Sequence, residues 1–113
     1  VSAELDRTLE ALADPQRRAM VGLLRASPLR SSDVAEALSL SRSATSKHLG
    51  ALRRAGVVEE TADASDARAR VYRLRRAPFD ELRVWLDEVE AYWGEQLAAF
   101  KAHAERGHKR RGR

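Results

Sequence analysis

Between Ser41 and Gly56 the chain reads SRSATSKHLGALRRAG. Arg42, Ser43, Ser46 and Lys47, followed by Arg53 and Arg54, are residue types that hold a nucleic-acid duplex. Cations replace phosphate counterions, and hydroxyls donate to phosphates or base edges. Spacing decides how such groups are presented. At 3.6 residues per turn, Thr45, His48, Leu49 and Leu52 share one face. The opposite face carries Ser43, Ser46, Lys47, Gly50 and Arg54, with Arg42 and Arg53 on the flanks and no acid anywhere in the stretch. A packed back and a small, polar, cationic front suit a DNA groove, because small side chains admit a close backbone and a long cation reaches the bases. A merely solvated amphipathic helix would show the same pattern, so the flanking elements have to decide.

Those elements follow from the local chemistry. Ser41 is placed to cap the helix N-terminus through its hydroxyl, and Gly56 to close it in the left-handed conformation that glycine adopts cheaply. Upstream, Leu5, Leu9 and Leu12 form a stripe that predicts a short helix over Ala3–Ala13, too short to stand unpacked. Asp14-Pro15 then predicts a helix start, Asp as cap and Pro as first residue, running to about Ala26 with Ala19, Met20, Leu23 and Leu24 inward. Ser27-Pro28 stops it. Leu29-Arg30 is an extended link, and Ser31 or Ser32 is expected to cap a third helix reaching Leu38, with Val34, Ala35 and Leu38 inward. Ser39-Leu40-Ser41 is a three-residue turn between two short helices, the helix-turn-helix plan, and alanines at 35 and 44 permit a close crossing.

Past Gly56 the period changes. Val57–Ala62 and Arg70–Leu74 read as strands joined by the polar loop Asp63–Ala69, hence a hairpin or wing. Arg68 and Arg70 are positioned to reach phosphates or a minor groove. Asp66, two residues before Arg68, is expected to hold its guanidinium. From Pro78 to about Arg106 a last helix carries Leu82, Trp85, Leu86, Val89, Trp93, Leu97 and Phe100 on one stripe, more apolar face than a small domain covers. The expected architecture is mainly α (α+β): a winged helix-turn-helix of five helices and a two-stranded β-hairpin. It is expected to be a homodimer through its first and last helices, with Leu5, Leu9, Leu12, Trp85, Val89, Trp93, Leu97 and Phe100 at the seam. Residues 1–106 form the DNA-binding and dimerisation domain, and 107–113, GHKRRGR, a disordered basic tail.

Bulk charge says less than its distribution. The net charge of +4 comes from four cations at the C-terminal end, Lys109, Arg110, Arg111 and Arg113; the other basic residues match the 17 acids. From Pro15 to Arg54, however, there are eight Lys or Arg and two acids, whereas Asp80–Glu95 holds six acids and one base. This segregation suggests a cationic working surface and a separate acidic helix. With no cysteine, thiolate metal sites, disulfides and thiol redox chemistry are excluded. No apolar run approaches the ~20 residues of a membrane helix, and a cytoplasmic location is expected. Nothing resembles a phosphate-cradling glycine loop or a histidine paired with a nucleophile, so no enzyme activity is expected. A hard-cation site from Asp87, Glu88 and Glu90 fails because neighbouring helix positions diverge. Trp85 and Trp93 are better read as packing than as a ligand pocket.

The order of these motifs resembles the ArsR/SmtB family of bacterial winged-helix repressors. ALADPQRRAMVGLL is similar to its second-helix signature, SLSRSATSKHLGALRRAGVVE to its recognition segment, ARVYRL to its second wing strand, and VEAYWGEQLAAF to the last helix of a cysteine-free branch. The likeness covers about residues 5 to 100. It implies a dimeric, sequence-specific repressor of a palindromic operator. Arg42, Ser43, Ser46 and Lys47 match the family's DNA-facing positions, and His48 and Leu49 its inward ones. There are departures. LRSSDV puts Arg30 and Ser32 where metal-sensing members carry thiolates. Asp87-Glu88-Val89 lacks the histidine of the last-helix zinc sites, and His103 and His108 lie too far along. The wing tip has no glycine. No metal or cofactor is therefore expected, and any inducer is left unspecified.

The reading is thus a double-stranded DNA binder. Its DNA-binding set is Ser41, Arg42, Ser43, Ser46, Lys47, His48, Arg53, Arg54, Arg68 and Arg70. Arg42 and Lys47 are expected at guanine edges, and Arg53, Arg54, Arg68 and Arg70 on phosphates. His48 is expected to pack and also to donate to a phosphate. The alternatives are a winged-helix protein-interaction module docking through the acidic helix, and a repressor answering a metal through oxygen and nitrogen ligands.

Overall fold

Seven elements follow one another in the computed structural model, which describes the backbone of residues 2–111 and the side chains of residues 2–107. They are α1 (Ala3–Ala11), α2 (Pro15–Leu24), α3 (Ser31–Leu38), α4 (Arg42–Arg54), β1 (Val58–Ala62), β2 (Arg70–Leu74) and α5 (Arg76–Arg111). The chain forms two compact units, Val1–Glu81 and Leu82–Arg113. The first four helices, the wing and the start of α5 lie in the first unit, and most of α5 makes the second.

In the first unit the ends of the helices are chemically specified. The Ser2 hydroxyl accepts the Leu5 amide at 3.0 Å and starts α1. That helix ends at Ala11, two residues before the expected Ala13, because α2 satisfies its carbonyls. Arg17 donates to Ala11 O at 2.6 Å and Glu10 O at 3.3 Å, and Arg18 to Leu12 O and Ala13 O at 2.9 and 3.0 Å. These two arginines counted toward the cationic surface in the sequence; here they serve the α1–α2 junction instead. Asp14 caps α2, accepting the Gln16 and Arg17 amides at 2.8 and 3.2 Å, with Pro15 as first helical residue. The Arg17 amide, above all, holds the Asp14 carboxyl below its ordinary value, against a smaller opposing effect of burial. On α2, Met20 and Leu24 are buried, whereas Ala19, expected inward, is exposed.

The expected serine cap of α3 is absent. Arg30 occupies the N-cap position without a side-chain capping bond, and Ser31 is already helical. Ser39 ends α3 in the left-handed region at φ 54°, which lets the Leu40 amide return to Ala35 O at 3.0 Å and turns the chain into α4. At the helix crossing Ala35 is buried and Ala44 half-buried. Val34, Leu49, Leu52, Val57 and Val58 join Met20 and Leu24 in one core, each nearly or wholly excluded from solvent.

β1 and β2 pair antiparallel with Val58 opposite Leu74 and Ala62 opposite Arg70. Leu29 adds an isolated bridge to Tyr72 through two backbone bonds of 3.1 and 2.8 Å, tying the α2–α3 link to the hairpin. α5 begins at Arg76, two residues before Pro78, because proline is tolerated in a first turn where no amide bond is lost. Its helical backbone continues through Arg111, past the tail boundary expected at Gly107. Gly112 and Arg113, the rest of that tail, lie outside the described residues. No helix among the described residues is long and apolar enough to cross a membrane.

Candidate nucleic-acid interface

The core-facing side of α4 is settled by three residues. Thr45, Leu49 and Leu52 are buried, the last two with no exposed surface. Ser41 caps the helix, its hydroxyl accepting the Ala44 amide at 3.1 Å, and Thr45 returns its hydroxyl to Ser41 O at 2.8 Å. Gly56, at φ 78°, turns the chain out of the helix and into β1. With the back and both ends fixed, the other face can point only outward.

On that outward face Arg42, Ser43, Ser46 and Lys47 are all exposed. Among the described residues none of the four makes a side-chain hydrogen bond or ion pair. Arg42 and Ser46 line a cavity of about 260 Å³ with Thr45 and with Ser31 and Ser32 of α3, a polar crook between the two helices. Gly50 continues the face one turn on. A Cβ there would meet the Arg54 guanidinium at 3.2 Å, so Arg54 folds back across the glycine. Arg54 also borders a cavity of about 320 Å³ with Arg7, Glu10 and Arg17, which places it on the α1 flank of the helix rather than toward the wing.

His48 behaves as a packing residue. It is half-buried, and its Nδ1 is buried without a partner among the described residues.

Several of the other cations are already paired. Arg53 pairs with Glu60 at 2.9 Å, and Arg70 approaches the same carboxylate at 3.5 Å. Arg73 pairs with Glu59 across the ladder, where the two are direct partners. Arg75 donates to Gly56 O at 2.9 Å. Arg68 is exposed on the wing loop, and the role expected of Asp66 is corrected: its carboxylate accepts the Arg68 backbone amide at 3.0 Å, not the guanidinium. At the loop's start Asp63 receives Arg30 through Nε at 3.2 Å and Nη2 at 2.9 Å. Glu60 and the Arg30–Asp63 pair escape the sequence pattern. The alternation of β1 against β2 signals Glu59–Arg73 and Glu60–Arg70 once the register is known; nothing local signals Arg30–Asp63.

Of the expected dimer seam, Leu5 is only 3% exposed and so already covered within the chain. Leu12 is half-buried and Leu9 exposed. In the second unit Trp85 and Val89 are half-buried. Trp93 at 61%, Leu97 at 67% and Phe100 at 73% are exposed along one side of α5. Tyr92 meets Trp93 edge to face with ring centres 6.1 Å apart. Among the described residues, no three His, Asp or Glu side chains gather as metal ligands would.

Known proteins share this arrangement. Residues 14–60 match the family described as bacterial regulatory protein, arsR family. The chain is 37% identical over 95 residues to the HTH-type transcriptional regulator Rv2034 of Mycobacterium tuberculosis, covering 84% of this chain and 83% of that protein. An ArsR-like transcriptional regulator from Rhodococcus sp. RHA1 superposes with a TM-score of 0.73 at 33% identity, covering 88% of this chain and 91% of the other. HlyU from Vibrio cholerae N16961 gives 0.61 at 28% identity, over 77% and 91%.

Proposed function

The chain belongs to the ArsR family of bacterial regulatory proteins, and on that premise we propose that it is a homodimeric repressor reading a palindromic operator through the Arg42–Lys47 face of α4. Membership makes it a DNA-binding transcriptional regulator. What supports the chosen face is that Arg42, Ser43, Ser46 and Lys47 stand exposed, acid-free and unpaired above a fully packed back. Arg42 and Lys47 take guanine edges in the major groove. Ser43 and Ser46 take bases or phosphates, and Ser41 and His48 add donors at the edge of the same face. Arg53, Arg54, Arg68 and Arg70 take phosphates, the wing lying on backbone or minor groove.

Two protomers pair through the apolar side of α5 and the exposed part of α1. Exposed tryptophan, leucine and phenylalanine on one helix face are the surface a second copy would bury. Twofold symmetry then sets half-sites one helical turn apart, ~10 bp, or near a multiple of that. The protein acts by occupancy in the cytoplasm, without catalysis.

The test is a titration of an operator, selected from random duplexes, against unrelated DNA. Lys47→Ala should lower the preference for the operator by about tenfold, corresponding to a lost base contact of ~1–3 kcal/mol, with little change on unrelated DNA. Equal preference in parent and variant would remove α4 from base reading.

A further inference from the structure

Two carboxylates organise the wing loop: Asp66 accepts the Arg68 amide within it, and Asp63 also reaches outside it. Asp63 accepts the Ser65 amide and the Ser65 hydroxyl on Oδ1, both at 3.0 Å, while its own amide donates to Ala69 O at 3.0 Å and closes the loop. Its second oxygen, Oδ2, receives both Nε and Nη2 of Arg30. Loop and helix ends are thus joined through a single residue. The loop closes without any residue at positive φ, so side-chain bonds, not a glycine, set its shape.

Arg30 is the N-cap residue of α3, the helix that packs beside the recognition helix. The Leu29–Tyr72 bridge ties the middle of β2 to the α2–α3 link but leaves the loop tip unconstrained. Among the described residues, Arg30–Asp63 is the one side-chain tie between that loop and the helices. It is a partly exposed pair, at 44% and 20% of side-chain surface, so it contributes little to stability. What it does fix is direction.

We propose that Asp63 is a positioning residue for DNA binding: by gripping Arg30 it sets where the wing's Arg68 meets the duplex backbone. This rests on the reading above that the wing touches DNA. The sign of the effect distinguishes the idea from simple electrostatics. Removing an acid from a surface that approaches phosphates ordinarily tightens binding. A positioning residue gives the opposite result.

The experiment measures affinity of the full chain for a labelled random-sequence duplex across a salt series. Asp63→Asn keeps an acceptor for Ser65 and loses the charge that Arg30 grips. It should weaken binding about fivefold and flatten the slope of log K against log salt by about one unit, as for one lost phosphate contact. Arg68→Ala should flatten it equally, and the double variant no further. If Asp63→Asn binds as tightly as the parent while Arg68→Ala still flattens the slope, the positioning role is overturned and the wing contact stands. If Arg68→Ala leaves the slope unchanged, the wing contact is absent and the inference falls with it. Should Asp63→Asn melt below the assay temperature, Arg30→Gln takes its place. Its loss of slope must vanish in the Arg68→Ala background; a loss that persists makes Arg30 itself a phosphate ligand and overturns the proposal.

Discussion

Arginines on this protein do three different jobs, and sequence position does not sort them. Arg17 and Arg18 finish α1 by donating to its last carbonyls. Arg53 and Arg70 share Glu60. Arg42, with Lys47, has no partner among the described residues. A cation that must leave an intramolecular carboxylate to reach a phosphate gains less than one that leaves only water. Glu60 therefore competes with DNA for two expected contacts, unlike Asp63, whose partner Arg30 is not among them. Glu60→Gln should tighten binding to all sequences about threefold to tenfold and steepen the salt slope by about one unit. Its cost in stability should be under about 1 kcal/mol, because both arginines are exposed. A salt series on parent and variant, with unrelated DNA as the probe, reads both; looser binding would make Glu60 an organiser of the arginines instead.

At the scale of elements, what was legible was whatever depends on neighbours in sequence. Asp14-Pro15, Ser41 and Gly56 mark helix ends through bonds reaching two or three residues, and each stands where the pattern puts it. The buried face of α4 follows from a period of 3.6. Two of the failures are side-chain bonds that reach in from another segment. Arg17 shortens α1 from the next helix, and Arg30 leaves α3 without a serine cap while reaching 33 residues along the chain to Asp63. Asp66 differs in being local: its carboxylate takes the Arg68 backbone amide two residues on, a bond that a pairing of charges by sequence overlooks. Gly56 offers a check on the recognition helix's exit. Alanine there meets φ 78° and places a Cβ 3.0 Å from the Arg75 guanidinium. The flexible guanidinium can move, so the cost is mainly backbone. Gly56→Ala should destabilise the fold by about 1–2 kcal/mol in denaturant melts. A neutral result would show that Ala55 and Gly56 relax into another turn.

For the whole molecule, reading two half-sites requires two copies, and the second unit's apolar side is the surface that would hold them. Leu97→Glu puts a charge in the middle of it, between Trp93 and Phe100. On the proposed pairing, sedimentation should show dimer for the parent and monomer for the variant, and operator affinity should fall at least a hundredfold, because each half-site is then bound alone. Retained dimer mass would move the seam elsewhere. One feature of α4 reaches beyond a single protein. Among the described residues, the side chains of Arg42, Ser43, Ser46 and Lys47 bond to no carbonyl and no carboxylate. Exchanging them leaves caps, core and wing intact. If these four side chains read the operator as proposed, then after a gene duplication one copy could drift to a new promoter in a few substitutions while folding as its sibling does.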